Sequence, residues 1–436
     1  MVARFKIIHD SVHGSVKLEG VFLSLLERPE MQRLHGIRQL GLAHLVFPGA
    51  NHTRLEHSLG TLFLAERMAD SLGLDEMERH DLKAAAMLHD LGHPPFSHTL
   101  EAVVHELTGR DHMEASRQII EGGLPVIDRS AGEVIGDIPP IREVLEDDGI
   151  SAERVGRIIV SDELERFGQK RLQVENSQSY FGGRNYLKQI IHGPVDADQM
   201  DYLLRDAHYT GVAHGAIDID RLLQTVAVHH GDLVVQRGGV VAVEGMLVAR
   251  ALMYTSVYFH KTVRIAEMML CKALELGGEE IVNDIHAQSE CSLSERLINA
   301  GGAASKIMTL LRYRRLYKRV LSLRSSELTE EEMERVLPLS DYRRRKAREH
   351  EIADRAGVNP SEVILDVPTK ELMLSEPRIG KTEVLILDGE KVKPLSKYSP
   401  LARALQYRNV HDWVLMVSAP KEVREKVEKA ARKALF

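Results

Sequence analysis

The sequence predicts a mainly α-helical protein, a helical bundle followed by a small α+β region at the C-terminal end. Three observations predict it. Apolar residues recur at helical spacing from Val21 to about Ile120, and again from about residue 196 to 325. Clusters of glycine and proline separate those runs. After about residue 355 the helical period gives way to short apolar runs of strand type.

Taken in order, Phe5-Lys6-Ile7-Ile8 and Val16-Lys17-Leu18 flank His13-Gly14 and predict a small hairpin or an extended lead-in. Leu23, Leu26, Met31, Leu34 and Ile37 begin the helical pattern. Leu59, Leu62, Phe63, Leu64 and Met68 continue it, and Leu82, Ala85, Ala86 and Leu88 carry it on. Breaks fall at Pro48-Gly49, Gly73 and Gly92-His93-Pro94-Pro95, where glycine's backbone freedom and proline's missing donor end helices. Residues 121–190 hold Gly122-Gly123, Pro139-Pro140 and Gly182-Gly183, which predict short helices or a flap. The block from 196 to 325 is interrupted near 229–240, where the pattern predicts a strand pair closed by the Gly-Gly turn. Thr329-Glu330-Glu331-Glu332 reads as a capping box that opens another helix. Strands are expected at 363–367, 382–387 and 413–417, then an amphipathic helix over 420–435. We divide the chain into residues 1–330 and a C-terminal α+β region, 331–436.

Composition narrows the function classes. Of 436 residues, 44% are hydrophobic and 28% charged, a globular balance far from that of disordered chains. Lys plus Arg number 57 against 64 Asp plus Glu, a net charge of −7, which argues against a protein that coats DNA but leaves room for a local basic cleft. Two cysteines, Cys271 and Cys291, exclude a disulfide framework or a Cys-rich zinc site. No run of 18 uncharged apolar residues occurs and the start, MVARFKIIHD, lacks a signal-peptide core, so a cytoplasmic protein without a membrane partner is expected. The 21 histidines stand out, because histidine is the commonest metal ligand and titrates near neutrality.

The alanine-rich run Lys83 to Leu88 ends in His89-Asp90 and is stopped by Gly92, Pro94 and Pro95. Buried polar groups left unpaired cost about 1–3 kcal/mol each, so this pair needs partners. A divalent cation is one. A capping Asp and a core His bonded to a carbonyl are the other. His57 lies one helix earlier and Asp198 far downstream. Two imidazoles and two carboxylates suit octahedral Mn, Fe, Ni, Co or Mg, or expanded Zn, and leave coordination positions for a water and a phosphate oxygen. His93, His98 and His112 are further imidazoles, able to move a proton near neutral pH or to hold a turn through backbone bonds. From Asp198, positions 202, 205 and 206 fall on roughly one helix side, so Tyr202 and Asp206 can share a cleft with it. Arg54, one turn before His57, can clamp a phosphate with its planar fork. Arg250 lies in an apolar helix, where it needs a phosphate or a buried carboxylate.

The ordered set His57…His89-Asp90…Asp198 resembles the HD-domain metal-dependent phosphohydrolases. Residues 10–60, 89–98, 196–212 and 250–261 are similar to the branch of that family containing deoxynucleoside triphosphate triphosphohydrolases, over about the first 270 residues with gaps. The resemblance implies an HD-type bundle, a divalent metal ion on His57, His89, Asp90 and Asp198, and hydrolysis of a dNTP to deoxynucleoside and inorganic triphosphate. It implies His98 as general acid at the 5′ oxygen, with His93 and His112 contacting or orienting phosphate. It puts Arg54 on the α-phosphate and Tyr202 and Arg250 on the rest of the triphosphate. Gln39 and Asp206 would bond the sugar 3′-hydroxyl, and Leu40 and Tyr258 would fill the space a 2′-hydroxyl needs. Gln39 and Leu40 also read as ordinary helix residues.

Three departures matter. Met113 follows His112 where the family often has Glu, with Glu114 next, so the supporting carboxylate is unassigned. Gln199 stands where the animal enzyme of that branch has lysine after the metal-binding aspartate, a loss expected to weaken triphosphate binding or to shift that work to Lys261 or His260. Lys6, His9, Glu27, Gln32 and His35 fall where the animal enzyme reads an activating guanine nucleotide. His9 and His35 do not match its residues, while Lys6 and Gln32 permit some interfacial nucleotide activator. A homotetramer follows from the resemblance alone. The basic runs Arg312–Arg319 and Arg343–Arg348 read as solvated faces, an effector pocket or subunit contact, or a nucleic-acid surface with tyrosines for stacking. Rival readings are another HD phosphohydrolase, a catalytically silent nucleic-acid-binding protein and an oligomeric scaffold.

Overall fold

A computed structural model of the chain describes residues 5–127, 133–136, 138–160, 184–367, 384–406 and 413–436. The Gly182-Gly183 turn and the Thr382-Glu383 start of one expected strand lie outside the described residues.

The N-terminal hairpin forms as expected: β1 (Phe5–Asp10) pairs antiparallel with β2 (Gly14–Glu19). Two short helices follow, α1 (Val21–Leu26) and α2 (Pro29–Arg33). Residues 34–36 and 41–45 are single 3-10 turns, and Gln39 and Leu40 lie between them in no helix, so their reading as ordinary helix residues is dropped. The long helix α3 (Arg54–Leu72) opens with a Thr53/Glu56 capping box and ends at Gly73, whose φ of 64° is the left-handed conformation a side chain resists. Helix α4 (Glu76–Leu88) has its own box, Asp75 with Glu78. Helices α5 (His98–Thr108), α6 (His112–Ile120), α7 (Ile141–Asp147), α8 (Ala152–Ile159) and α9 (Tyr186–His192) follow. Helix α10 (Ala197–Thr210) is capped by Asp196, which accepts from the Gln199 N–H at 2.7 Å.

After α11 (Ile219–Thr225) comes the expected strand pair, β3 (Val226–His229) with β4 (Asp232–Gln236). Its turn is His230-Gly231, both at positive φ (51° and 85°), not the Gly-Gly pair. Gly238-Gly239 instead belongs to a 3-10 turn that leads into α12 (Val240–Met253). A one-turn π-helix, Tyr254–Tyr258, extends α12, and α13 (Lys261–Gly277), α14 (Glu290–Asn299) and α15 (Gly302–Arg312) complete the helical part. The expected helix does not continue to 325: β5 (Lys318–Leu323) is a strand, because it finds a partner 90-odd residues downstream in β9 (Leu415–Ala419).

The C-terminal part adds α16 (Glu330–Val336), opened by the expected Thr329 capping box, α17 (Tyr342–Ala356), β6 (Ile364–Asp366), β7 (Leu385–Asp388), β8 (Lys391–Pro394), α18 (Pro400–Gln406) and α19 (Arg424–Leu435). Strands β5-β9-β6 form one antiparallel sheet, packed on α17 and α19. The other sheet runs β3-β4-β7-β8, with β7 parallel to β4 through Val235↔Ile386 and Gln236↔Leu387. Both sheets join residues from either side of position 330.

Among the described residues three large apolar cores result, with a small fourth cluster of Ala43, Ala50 and Val263. The largest packs α3, α4, α8, α9, α10 and α12 together and takes in Ile386 and Leu395. A second lies between α5, α13, α14 and α15, and the third under the β5-β9-β6 sheet. The segment Arg237–Tyr258 is, among the described residues, one helix whose length and apolarity would suffice to cross a membrane, but half of its most apolar window is packed inside the protein and it carries Arg250.

Candidate active site

Helices α3, α4 and α10 bring His57, His89-Asp90 and Asp198 to one point. His57 Nε2 lies 3.0 Å from Asp198 Oδ1 and 3.7 Å from Asp90 Oδ2. His89 Nε2 lies 3.2 Å from Asp90 Oδ1 and 4.0 Å from Asp198 Oδ1. His57, His89 and Asp90 are buried, and Asp198 keeps 27% of its side chain exposed, so the group opens on that side.

Each imidazole is oriented through its far nitrogen. His89 Nδ1 lies 2.8 Å from the Ala86 carbonyl, which fixes Nδ1 as the donor and turns the Nε2 lone pair inward. His57 Nδ1 is 2.7 Å from Asp201 Oδ2, with the same result. The inward nitrogens therefore face two carboxylates, an arrangement that needs a shared proton or a cation. Without a cation, burial works against a charged His57, but Asp198, Asp201 and Asp90 outweigh it and push the ring up to about 10. The donor set, two imidazole nitrogens and two carboxylates whose facing atoms lie within a few ångströms of one another, fits a divalent metal ion. Asp90 is held well below the usual carboxylate range: burial opposes this, but the Arg54 guanidinium 2.5 Å away, with His89 and His93, outweighs it.

A tight turn supplies the next layer. Phe96 and Ser97 take positive φ (61° and 55°), a strained conformation for non-glycine residues that reverses the chain so that His98 starts α5. Ser97 holds the turn by donating to the Arg38 carbonyl (2.8 Å) and accepting from Arg54 Nε (2.7 Å). Arg33 ties its other end, donating to the Leu91 and His93 carbonyls at 2.7 and 2.9 Å. His93 stacks on His112 at 4.1 Å and meets His98 edge-on at 4.7 Å, while its Nε2 is 3.3 Å from Asp90 Oδ1. His112 reaches this cluster because Gly92 lets α6 approach: a Cβ on Gly92 would lie 2.2 Å from the His112 carbonyl oxygen.

The carboxylate left unassigned from the sequence is Glu101. It accepts from His98 Nδ1 at 2.9 Å and bonds His112 Nδ1 through its other oxygen. Burial would raise Glu101, but His112 and His98 hold it well below the ordinary range; burial would lower His112, but Glu101 raises it. Glu114 turns away and pairs with Arg117. The His98-x-x-Glu101 spacing was the available signal, legible once α5 is known to start at His98.

The far wall is built by α10 against α12 and its π-helical end. Arg250 donates to Gln199 Oε1 at 2.7 Å, so its partner is an amide rather than a carboxylate. The Gln199 amide nitrogen donates to the Gly193 carbonyl and to Asp196 Oδ2, both at 2.7 Å. Two helical turns on, Tyr258 donates to Asp206 Oδ2 at 2.7 Å, and the Tyr258 ring meets Tyr202 at 6.1 Å. The wider π-turn brings Tyr258 back toward the face that carries Arg250. His52 Nε2 lies 2.7 Å from Asp206 Oδ1, and the Gln39 N–H donates to the His52 carbonyl at 3.0 Å, which links Gln39 to the same wall. Leu40 packs against the main core beside it. His260 caps α13 through the Thr262 N–H, and Lys261 begins that helix.

The remaining residues singled out from the sequence lie elsewhere. Lys6 pairs with Glu27 at 2.9 Å on the surface, and Gln32 donates to the Leu26 carbonyl at 2.8 Å. In the basic runs, Arg312 bonds Glu295 and Arg314 the Leu45 carbonyl, while Arg345 pairs with Glu275 across α17 and α13. Sequence reasoning missed Glu101, whose contacts to His98 and His112 are local, and Asp201, His13, Asp10, Ser97 and His52, which act through contacts distant in sequence.

An HD domain model matches residues 54–128, and an HD associated region matches 217–436. An uncharacterized protein of Methanocaldococcus jannaschii is 32% identical over 433 residues, 96% of this chain and 80% of that protein. The human deoxynucleoside triphosphate triphosphohydrolase SAMHD1 is 30% identical over 229 residues, 48% of this chain and 34% of the human protein. The chain thus spans about a third of the length of that relative. A crystal structure of a hypothetical protein from Aquifex aeolicus matches with a TM-score of 0.69 and 28% identity, covering 98% of this chain and all of that one. With these matches across most of its length, and an His/Asp group that can hold a divalent ion, the chain belongs to the HD-domain phosphohydrolases.

Proposed function

We propose that this phosphohydrolase cleaves deoxynucleoside triphosphates into deoxynucleoside and inorganic triphosphate. One observation carries the reading. Around the His/Asp group, three side chains assigned to phosphate and sugar keep buried polar atoms without a hydrogen-bond partner: Arg54 Nη2, Arg250 Nε and Gln39 Oε1. Such atoms cost about 1–3 kcal/mol each unless something supplies the missing bond. Two guanidinium donors and a carboxamide acceptor suit a ligand with anionic oxygens at one end and a hydroxyl at the other.

His57, His89, Asp90 and Asp198 would hold a divalent ion, whose chemistry there would be Lewis acidity toward a phosphate oxygen and a water. The chain's own residues do the rest. Arg54 and Arg250 neutralise charge on the phosphates, the larger electrostatic share of catalysis. His98 delivers a proton from Nε2 to the departing 5′ oxygen, while Glu101 accepts from Nδ1 and holds the ring. His93 and His112, stacked, orient the phosphate. Asp206 and Gln39 receive the 3′-hydroxyl, and Leu40 with Tyr258 crowds the place of a 2′-hydroxyl. A homotetramer with a nucleotide activator at a subunit interface near Lys6 and Gln32 belongs to the same reading.

Product identification tests it. Metal-loaded protein is incubated with dNTPs, NTPs, cyclic nucleotides and single-stranded DNA, with and without a second nucleotide. Release of inorganic triphosphate from dNTPs is expected; release of phosphate or pyrophosphate, or cleavage of only the other substrates, overturns the reading.

A further inference from the structure

The β1–β2 hairpin reaches the metal group through one carboxylate. Asp201 is fully buried on α10 and its two oxygens each accept twice: Oδ2 from His57 Nδ1 (2.7 Å) and Arg205 Nε (2.8 Å), Oδ1 from His13 Nε2 (2.6 Å) and Arg205 Nη2 (2.9 Å). Asp10 completes the arrangement with a divided role. Its Oδ2 accepts from Arg205 Nη1 at 2.8 Å, and its Oδ1 accepts from the Val12 and His13 N–H groups, at 2.9 and 2.7 Å, which folds the hairpin turn and aims His13 inward. The His13 ring lies against Phe63 at 5.2 Å and is 5% exposed.

The helix that carries His57 is shaped for this contact. Gly60 lies one turn beyond His57, and a Cβ there would sit 1.9 Å from Asp201 Oδ1 and 2.4 Å from Arg205 Nη2. Only a residue without a side chain lets α3 close on the Asp201–Arg205 pair. A carboxylate that accepts from a metal-ligating imidazole fixes its tautomer and ring plane, and loss of such support typically weakens metal binding about 10- to 100-fold.

We propose that His13 and Asp10, on the N-terminal hairpin, are positioning residues of the metal centre: they hold Asp201 against His57, and Gly60 provides the space. The hairpin is then a built-in clamp on the ion's affinity, and whatever lifts it from α3 and α10 loosens the metal.

The test measures Mn2+ binding to the full chain by titration calorimetry, with thermal melts of the EDTA-treated protein alongside. His13→Ala is expected to bind Mn2+ about 10- to 100-fold more weakly, with a metal-free melting temperature changed by only a few degrees. His13→Gln, whose amide still donates to Asp201, is expected to recover most of the affinity, and Gly60→Ala to lose it. Lys17→Ala, on the exposed face of the hairpin, is expected to bind like the unaltered chain. Unaltered affinity in folded His13→Ala overturns the proposal, as does a His13→Gln chain no better than the alanine variant. Should His13→Ala not fold, His13→Phe keeps the contact with Phe63 without a donor, and the same outcomes decide. The proposal rests on the metal-centre reading: an unaltered chain that binds no Mn2+ overturns both, whereas full binding in His13→Phe overturns this one alone.

Discussion

Glu101 decides what His98 and His112 can do, since one carboxylate bonds both rings and leaves the His98 side chain exposed. His98→Ala should therefore lower turnover by about 10²–10⁴-fold with metal content unchanged, as steady-state rates and metal analysis would report. Glu101→Gln should lower it less and narrow the pH profile. His89→Ala and Asp198→Ala should abolish turnover, and near-normal activity in either pure variant would defeat the metal assignment. A separate residue contributes to acid stability. Burial, with the Arg33 guanidinium, holds His286 down at about 4, against 6.5 in the unfolded chain. The folded state thus binds fewer protons, so the stability His286 contributes is complete above pH 6.5 and is lost as pH falls through 4, a change of about 3 kcal/mol. His286→Phe should flatten urea-melt stability over that window; an unaltered slope would show that another group titrates.

At the scale of elements, the legible features were those with local causes. Helix periods, the capping box at Thr329 and the stop after His89-Asp90 are written within a few residues of one another. Asp198 was legible as a ligand only through the resemblance of the ordered set His57…His89-Asp90…Asp198 to a family, since spacing alone does not bring it to the other three. Asp201 was not, because its value depends on His13 and Asp10, nearly the whole hairpin-to-α10 distance away in sequence. β5 was misread for the same reason: charged residues flank a short apolar run, and only the pairing with β9 makes it a strand. The close approach of α6 to the His89–His93 turn is likewise a tertiary fact. Gly92→Ala would drive a Cβ toward the His112 carbonyl and the Ser116 N–H, at 2.2 and 2.4 Å. It should cost about 1–3 kcal/mol and lower activity by moving His112, with a thermal melt and a rate measurement separating the two effects.

At the scale of the molecule, the C-terminal region is attached by a buried ion pair as well as by its cores. Asp366 on β6 accepts both Arg264 Nε (3.0 Å) and Nη2 (2.8 Å), and also the Trp413 indole N–H at 3.2 Å. Arg264 lies on α13, whose Glu267 accepts from Thr99 at the start of α5, so the region bears on the helix that carries His98. Asp366→Ala leaves the buried Arg264 with the longer Glu267 contact at 3.4 Å and should destabilise the chain by about 3 kcal/mol, read from urea unfolding. The parallel pairing of β4 with β7 has a consequence for synthesis. A ribosome releases β4 long before residues 385–388 exist, so the growing polypeptide carries an uncovered strand edge while roughly a third of the chain is still being added. Crowded nascent chains can pair through that edge with one another, and expression at low temperature or with chaperones in excess is the condition that keeps newborn copies apart until the last hundred residues arrive.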